Sequence, residues 1–391
     1  LENAVEKLKI ALYRRTKSKP MKKIFYLLPL LFWIMEAHAQ KSKYNLVIGT
    51  YTKTGKSEGI YVYDFNTATA SFRAKGIGKH TSNPSYLAIT KDNKFVYSVN
   101  EDGEKSTISA FSFDPVKGNL DFINKVDAKG ADPCYIIADE HHVIAANYSG
   151  GSIVVLGRNE DGSLTEAKQV IQHSGSSVDP NGRQKSAHVH MVKFSPDGKY
   201  VIVNDLGTDK VYSYRYNATG AANVLTPADS IGVRPGSGPR HITFSKDGKY
   251  AYLLQEMNGN LTAYKYADGH FTVLQERNIV PKTFTGTTGS ADIHLTPDGK
   301  FLYATNRGTA NTITRFAVQS DGTLVNKGTT STLGKGPRNF AIDPSGNFLL
   351  VAHQHTNDVV IFKINKATGA LTDTKKRIEV GSPVCLVFAA Y

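Results

Sequence analysis

The chain has 391 residues and a formal net charge of +13. Hydrophobic residues make up 40% and charged residues 21%, with 34 Gly, 20 Tyr and 18 Phe, which argues against disorder and supplies a large apolar and aromatic core. Length alone would allow two or three domains, although all-β barrels and propellers also run this long as one.

From Met21 the sequence reads Met-Lys-Lys, then an apolar run from Ile24 to Met35, then Ala37-His38-Ala39 before Gln40, the three parts of a secretory signal peptide. Cleavage is expected near Gln40. Residues 1–20 are then an upstream extension, 21–39 the leader and 40–391 a single domain. An uncleaved anchor is the alternative, but the run is short for a membrane span of roughly 20 residues. The reading is therefore export, periplasmic or secreted, with no stable membrane insertion after cleavage. Eight basic and three acidic residues lie in 1–39, so the formal charge of the remainder falls to +8. No basic block or stacked aromatic motif survives to track a phosphate backbone, and no nucleic-acid partner is expected; an anionic small substrate fits better. Cys134 and Cys385 match no zinc or redox spacing. They are either a pair formed in an oxidising compartment or two buried thiols on separate strands.

Beyond the leader, Asn45 to Thr50, Gly59 to Phe65 and Phe72 to Gly78 read as three short strands, and an internal repeat then begins. Its first copy is Thr90-Lys91-Asp92-Asn93-Lys94-Phe95. A degenerate copy follows at Ala138-Asp139-Glu140-His141-His142, and then come Ser195-Pro196-Asp197-Gly198-Lys199-Tyr200, Ser245 to Tyr250, Thr296 to Phe301 and Asp343 to Phe348. Each copy is an Asp-Gly type turn between two apolar strands, the sequence form of a β-hairpin. Two further strands follow, such as Lys210 to Tyr216 with Ala228 to Val233, or Leu261 to Tyr266 with Phe271 to Val280. Four strands in roughly 50 residues is the period of a propeller blade, and helical spacing is absent. Six hairpins precede a lone strand, Pro383 to Phe388, whose three partners are the opening strands. The expected fold is an all-β, seven-bladed propeller whose last blade is shared between N- and C-terminal strands, a closure that removes free sheet edges.

Aligning the copies on their aromatic separates packing positions from variable ones. Ten residues before it stand Ser85, His190, Arg240, Ala291 and Arg338; six after it stand Glu101, Tyr148, Leu206, Glu256, Arg307 and Gln354. Both columns lie at similar distances from the hairpin turn and so sit together at its far end. His190, Arg240, Glu256 and Arg307, from three consecutive blades, are expected to ring one mouth of the central channel.

The strings His188-Val189-His190, Gly238-Pro239-Arg240-His241, Gln255-Glu256, Ala291-Asp292-Ile293-His294 and Asn306-Arg307, with Gly49-Thr50-Tyr51-Thr52, resemble those of the seven-bladed lactonase family. That family includes bacterial 6-phosphogluconolactonases and fungal carboxymuconate lactonising enzymes, and the likeness runs from Tyr44 to Tyr391. It implies lactone chemistry at one His, two Arg and one Glu, which fall on His190, Arg240, Glu256 and Arg307, with His188 an alternative position for the His. The residue types suit that task. A neutral His190 can take a proton from water attacking the ring carbonyl, with Glu256 orienting it or shuttling the proton. Arg240 and Arg307 can hold an acidic group and the developing oxyanion. His188, Arg338, Asn147 and His353, with Gln354, are secondary candidates for contacting a small acidic sugar lactone. No cofactor or metal is expected.

Bland readings stand beside these: Arg240 and Glu256 as a salt bridge within one hairpin, Arg307 paired with Asp292. A divalent-cation site from Glu101, Asn147 and Asp205 is the chemical rival. A muconolactone cycloisomerase and a non-catalytic propeller binding a glycan or protein are the functional alternatives. Export also sits uneasily with a phosphorylated substrate, so lactone opening is a firmer expectation than phosphate specificity.

Overall fold

The computed structural model describes residues 42–391 apart from Gly55, His80, Pro180, Asn181 and Lys282. The expected leader and upstream extension lie outside the described residues. Within them, 28 strands form seven four-stranded antiparallel sheets, with a single 3-10 turn at Gly103–Lys105. No helix among the described residues is long and apolar enough to cross a membrane.

Numbered along the chain, blade one begins at Leu87–Ile89, two at Pro133–Ala138, three at Val189–Phe194, four at Pro239–Phe244, five at Ser290–Leu295 and six at Pro337–Ile342. Blade seven takes its innermost strand from Pro383–Ala389 and the others from Lys43–Thr50, Ile60–Asn66 and Phe72–Gly78. The seam between the chain ends is an antiparallel ladder in which Leu46 pairs with Phe388 and Gly49 with Cys385. The propeller and its shared blade are therefore as the repeat implied.

The repeated hexapeptide is explained by its turn. Ser195 Oγ donates to Asp197 Oδ1 at 2.6 Å and accepts from Tyr200 N at 3.0 Å, and the same pair of bonds recurs at Ser245 and Thr296. Gly198 takes φ +70°, which a side chain disfavours, and in the first copy Asn93 serves instead at φ 56°.

The apolar cores lie between blades, one of them joining Tyr252, Leu254 and Leu261 of blade four to Ile293, Leu302 and Phe316 of blade five. At four joints the aromatic after the hairpin turn lies on a glycine in the outer turn of the next blade. A Cβ on Gly162, Gly269, Gly322 or Gly369 would come within 2.1 to 2.7 Å of Phe95, Tyr200, Tyr250 or Phe301 respectively. Tyr97, Tyr252 and Tyr303 then donate their hydroxyls to the carbonyls of Gly162, Gly322 and Gly369 at 2.9, 3.1 and 2.6 Å. Substitution of any of these glycines has no room.

Candidate active site

The inner strands are not regular where they reach the channel mouth. The pairing register slips by one residue at Pro133/Tyr135, Val189/Met191, Pro239/His241 and Pro337/Asn339, which leaves Cys134, His190, Arg240 and Arg338 as the extra residues. A β-bulge bends its strand and re-aims a side chain. Repeated in these four blades, and at Ser290/Ile293 in a fifth, it takes residues out of the ladder, and Cys134, His190 and Arg338 so reach the cavity. The carboxylates and Arg307 come from the far end of the second strand, one residue after Phe95–Asn100, Tyr250–Gln255 and Phe301–Asn306.

The result is a cavity of about 290 Å³ lined by Glu101, Asp132, Cys134, Tyr148, Ser149, Arg183, His190, Glu256, Arg307 and Arg338. Glu256 is its electrostatic centre. Its Oε2 accepts from Arg240 Nε at 2.8 Å, and its Oε1 lies 2.9 Å from an Arg183 nitrogen and 3.1 Å from one of Arg307. His190 Nε2 stands 3.6 Å from Glu256 Oε2. Burial alone would raise the Glu256 carboxyl, but Arg307, Arg240 and Arg183 together hold it well below the usual carboxylate range. Burial, then the Arg240 charge, pushes His190 well below its ordinary value, so the imidazole is neutral. Burial also lowers Arg307 to about 9, which leaves it cationic at neutral pH.

Arg240 is fixed from beneath. Its Nη1 donates to the Ala291 carbonyl and lies 3.2 Å from His241 Nε2, whose Nδ1 is 2.8 Å from Asp292 Oδ1. A guanidinium only donates, so Nε2 accepts and the ring proton sits on Nδ1, facing the carboxylate. Asp292 also receives His294 Nε2 at 2.9 Å and the Asn339 amide. Asp292 is thus committed here, and the suggested Arg307–Asp292 pair is corrected: Arg307 pairs with Glu256 and donates to the Gly289 and Ser290 carbonyls at 3.1 and 3.4 Å. The Arg240–Glu256 bridge is present as part of the larger cluster.

The four leading candidates therefore come together, but only His190, Glu256 and Arg307 line the cavity, with Arg338; Arg240, expected at the mouth, is instead buried behind Glu256. Other expected residues lie elsewhere. Asn147 is fully buried and gives its amide to the Ala128 carbonyl and Ser152 Oγ, both at 3.0 Å. His353 is buried beside Asp358 at 3.2 Å, and Gln354 is tied through its N–H to Gly336. His188 stacks on Tyr148 with ring centroids 4.7 Å apart and its Nδ1 is 2.9 Å from the Tyr148 carbonyl; it braces the lining while His190 occupies it. The suggested cation site does not assemble. Asp205 is taken up by His173 at 2.9 Å and by the N–H groups of His188, Gly207 and Thr208, and no cluster of three His, Cys, Asp or Glu suited to a metal occurs among the described residues. Cys134 and Cys385 are free, buried thiols in blades two and seven.

Sequence reasoning missed Arg183. It belongs to the long connection between blades two and three, which no repeat aligns, and reaches the cavity because Gln184 donates to the Leu206 carbonyl at 2.8 Å and Ser177 to Asp209 at 2.6 Å. Cys134 was missed with the degenerate second copy; aligning that hairpin by its strand ends would have found it.

A closed ring of seven sheets, with a charged cavity built from bulges at one mouth, defines a propeller enzyme with its chemistry on the channel axis. Residues 45–388 match the family described as "Lactonase, 7-bladed beta-propeller". The chain belongs to the seven-bladed β-propeller lactonase family. It is 36% identical over 352 residues to the 6-phosphogluconolactonase of Bacillus subtilis, covering 89% of this chain and 99% of that one. A Bacteroides fragilis structure with the provisional name 6-phosphogluconolactonase is 43% identical with a TM-score of 0.86, covering 90% of this chain and 99% of its own. The periplasmic gluconolactonase of Pseudomonas aeruginosa is 39% identical with a TM-score of 0.85, covering 89% and 99%.

Proposed function

We propose that the protein is an exported lactonase that hydrolyses a small acidic sugar lactone in this cavity. The observation that carries the reading is one carboxylate, Glu256, within 3.1 Å of three guanidinium groups and beside a neutral His190. Water bound next to His190 attacks the ring carbonyl and gives its proton to the imidazole. The imidazolium so formed lies 3.6 Å from the fixed charge of Glu256, which favours it. Glu256, held ionised by its arginines, orients and stabilises and does not itself carry the proton.

The positive excess of the cluster favours an anionic substrate and the oxyanion of the tetrahedral intermediate. Arg183, Arg240 and Arg307 already have protein acceptors. Arg338 lies over the Tyr51 ring at 5.5 Å and makes no hydrogen bond among the described residues, so its fork is open to the substrate. A volume of about 290 Å³ suits one monosaccharide unit. The leader-like segment 21–39 and the periplasmic relative support export, and an exported enzyme favours an unphosphorylated sugar acid.

The test assays the purified mature protein against glucono-δ-lactone, its 6-phosphate and a muconolactone in isotopically labelled water. Label in the product carboxylate is expected. Turnover without label would instead mean proton transfer at carbon, and no turnover on any lactone would refute the proposal. Mass spectrometry of exported protein should give a start near Gln40, and retention of Met21 to Ala39 would exclude cleavage.

A further inference from the structure

Opening a lactone needs two proton transfers, one from the attacking water and one to the ring oxygen that leaves as an alkoxide. His190 and Glu256 account for the first. The cavity holds two more carboxylates, and they differ in what they touch. Asp132 is consumed in loop structure, accepting from Gly103 N at 2.8 Å and from Ser149 Oγ at 2.6 Å. Glu101 is held by two hydroxyls, Tyr51 Oη to Oε2 at 2.8 Å and Ser85 Oγ to Oε1 at 2.6 Å, and has no ion pair within 4.0 Å among the described residues. It stands in blade one, whereas Glu256 stands in blade four of the seven. The two therefore face each other across the channel.

We infer that Glu101 is the catalytic acid that protonates the departing ring oxygen, on the wall opposite the group that activates water. The inference rests on the lactone-hydrolysis reading above. A hydroxyl, unlike a guanidinium, can donate to a carboxylate and accept from a carboxylic acid, so Tyr51 and Ser85 can hold Glu101 in both protonation states. Each Glu101 oxygen accepts one hydroxyl hydrogen bond, and Glu101 lines the cavity. Burial pushes its carboxyl above the ordinary value, with Arg338, Ser85 and Tyr51 offsetting part of the rise, while Glu256 is driven the other way. Two carboxylates with opposed environments is the pattern of an acid paired with a permanent anion.

The step balances. Water forms a bond from its oxygen to the carbonyl carbon and loses a proton to His190, and the carbonyl π pair moves onto oxygen. When that pair returns, the bond from carbon to ring oxygen breaks, and the alkoxide takes the proton of Glu101 and becomes a hydroxyl. The product is the open hydroxy acid. Transfer of the His190 proton to Glu101 through solvent restores the site.

The experiment measures kcat and KM of the unaltered protein and of Glu101→Gln across pH on two lactones. Glucono-δ-lactone expels an alkoxide, whereas dihydrocoumarin expels a phenoxide that can leave unprotonated. For Glu101→Gln, kcat on the sugar lactone should fall by roughly 100-fold or more with KM little changed, and on the phenoxide lactone by less than about tenfold. In the unaltered protein, sugar-lactone turnover should fall as pH rises through the Glu101 pKa, and the variant should lack that limb. Equal losses on both substrates, or no loss, would overturn the assignment, because a structural role or a role in activating water does not discriminate between leaving groups. Should Glu101→Gln not fold, Glu101→Asp takes its place, and should dihydrocoumarin not be accepted, another lactone with a phenoxide leaving group does; equal losses on both substrates again overturn the assignment. If the unaltered protein opens neither of these lactones, nor the 6-phosphate or the muconolactone, the lactonase reading fails and the role of Glu101 falls with it.

Discussion

Replacing Glu256 by Gln keeps its shape and removes the charge that three guanidinium groups share. Breaking a buried ion pair from one side costs about 3–5 kcal/mol, because the partner is left uncompensated. Here Arg183 is 42% exposed and can return to water, while Arg240 and Arg307, at 2% and 18%, cannot. The Gln carbonyl still accepts one bond, so the lower end, about 3 kcal/mol, is expected. At about 2 °C per kcal/mol for a domain of this size, the melting temperature should drop by about 6 °C. The loss should depend on pH. A carboxyl held below its unfolded value of about 4.3 contributes fully above that pH and loses its contribution as pH falls toward the folded value. Parent and variant should therefore differ at neutral pH and converge in acid. Added sulfate, which can sit among the freed guanidinium groups, should restore the variant more than the parent. Scanning calorimetry with and without sulfate makes the measurement. A variant melting within about 1 °C of the parent at neutral pH would show that the arginines do not depend on Glu256, and the electrostatic argument would fail.

Asn in place of His190 should lower kcat by roughly 100-fold or more while KM changes little; a folded variant with full turnover on every lactone removes His190 from the chemistry. Lys in place of Arg338 keeps the charge and loses the planar fork, so KM for an acidic lactone should rise more than kcat falls, and Arg307→Lys should raise it less. Steady-state kinetics of the two variants side by side decides this, and the reverse order would return the anchoring role to Arg307.

The ring was legible because its signal is periodic. The hexapeptide turn makes the same pair of bonds at Thr90, Ser195, Ser245 and Thr296, and counting its copies exposed both the hidden blade and the divided one. Register mattered as much. Counting from one aromatic placed Arg240 beside Glu256, and the backbone bond from Glu256 N to the Gly238 carbonyl at 2.7 Å is that neighbourhood. What the count could not express is direction. Asn147 shares the far end of its hairpin with Tyr148, yet the two side chains part, one into the blade and one into the cavity. Successive residues of a strand point to opposite faces, so neighbours in one column can serve the core and the cavity in turn. Arg183 lay beyond reach for another reason, since its place is set by contacts of Gln184 and Ser177 with blade three.

The aromatic and glycine contacts between blades bear on what counts as a unit of this protein. Each contact is divided, the ring of Tyr250 in blade four and its seat, Gly322, in blade five. A blade cut out alone would carry an aromatic with nowhere to rest and a glycine with nothing to cover it. In an open solenoid the end repeats must be capped to hide such surfaces. A closed circle has no ends, so each of these four half-contacts, which join blade one to two and blades three to six in series, meets its complement. The blade is thus a unit of sequence repetition whose surfaces are completed only by its neighbours in the ring.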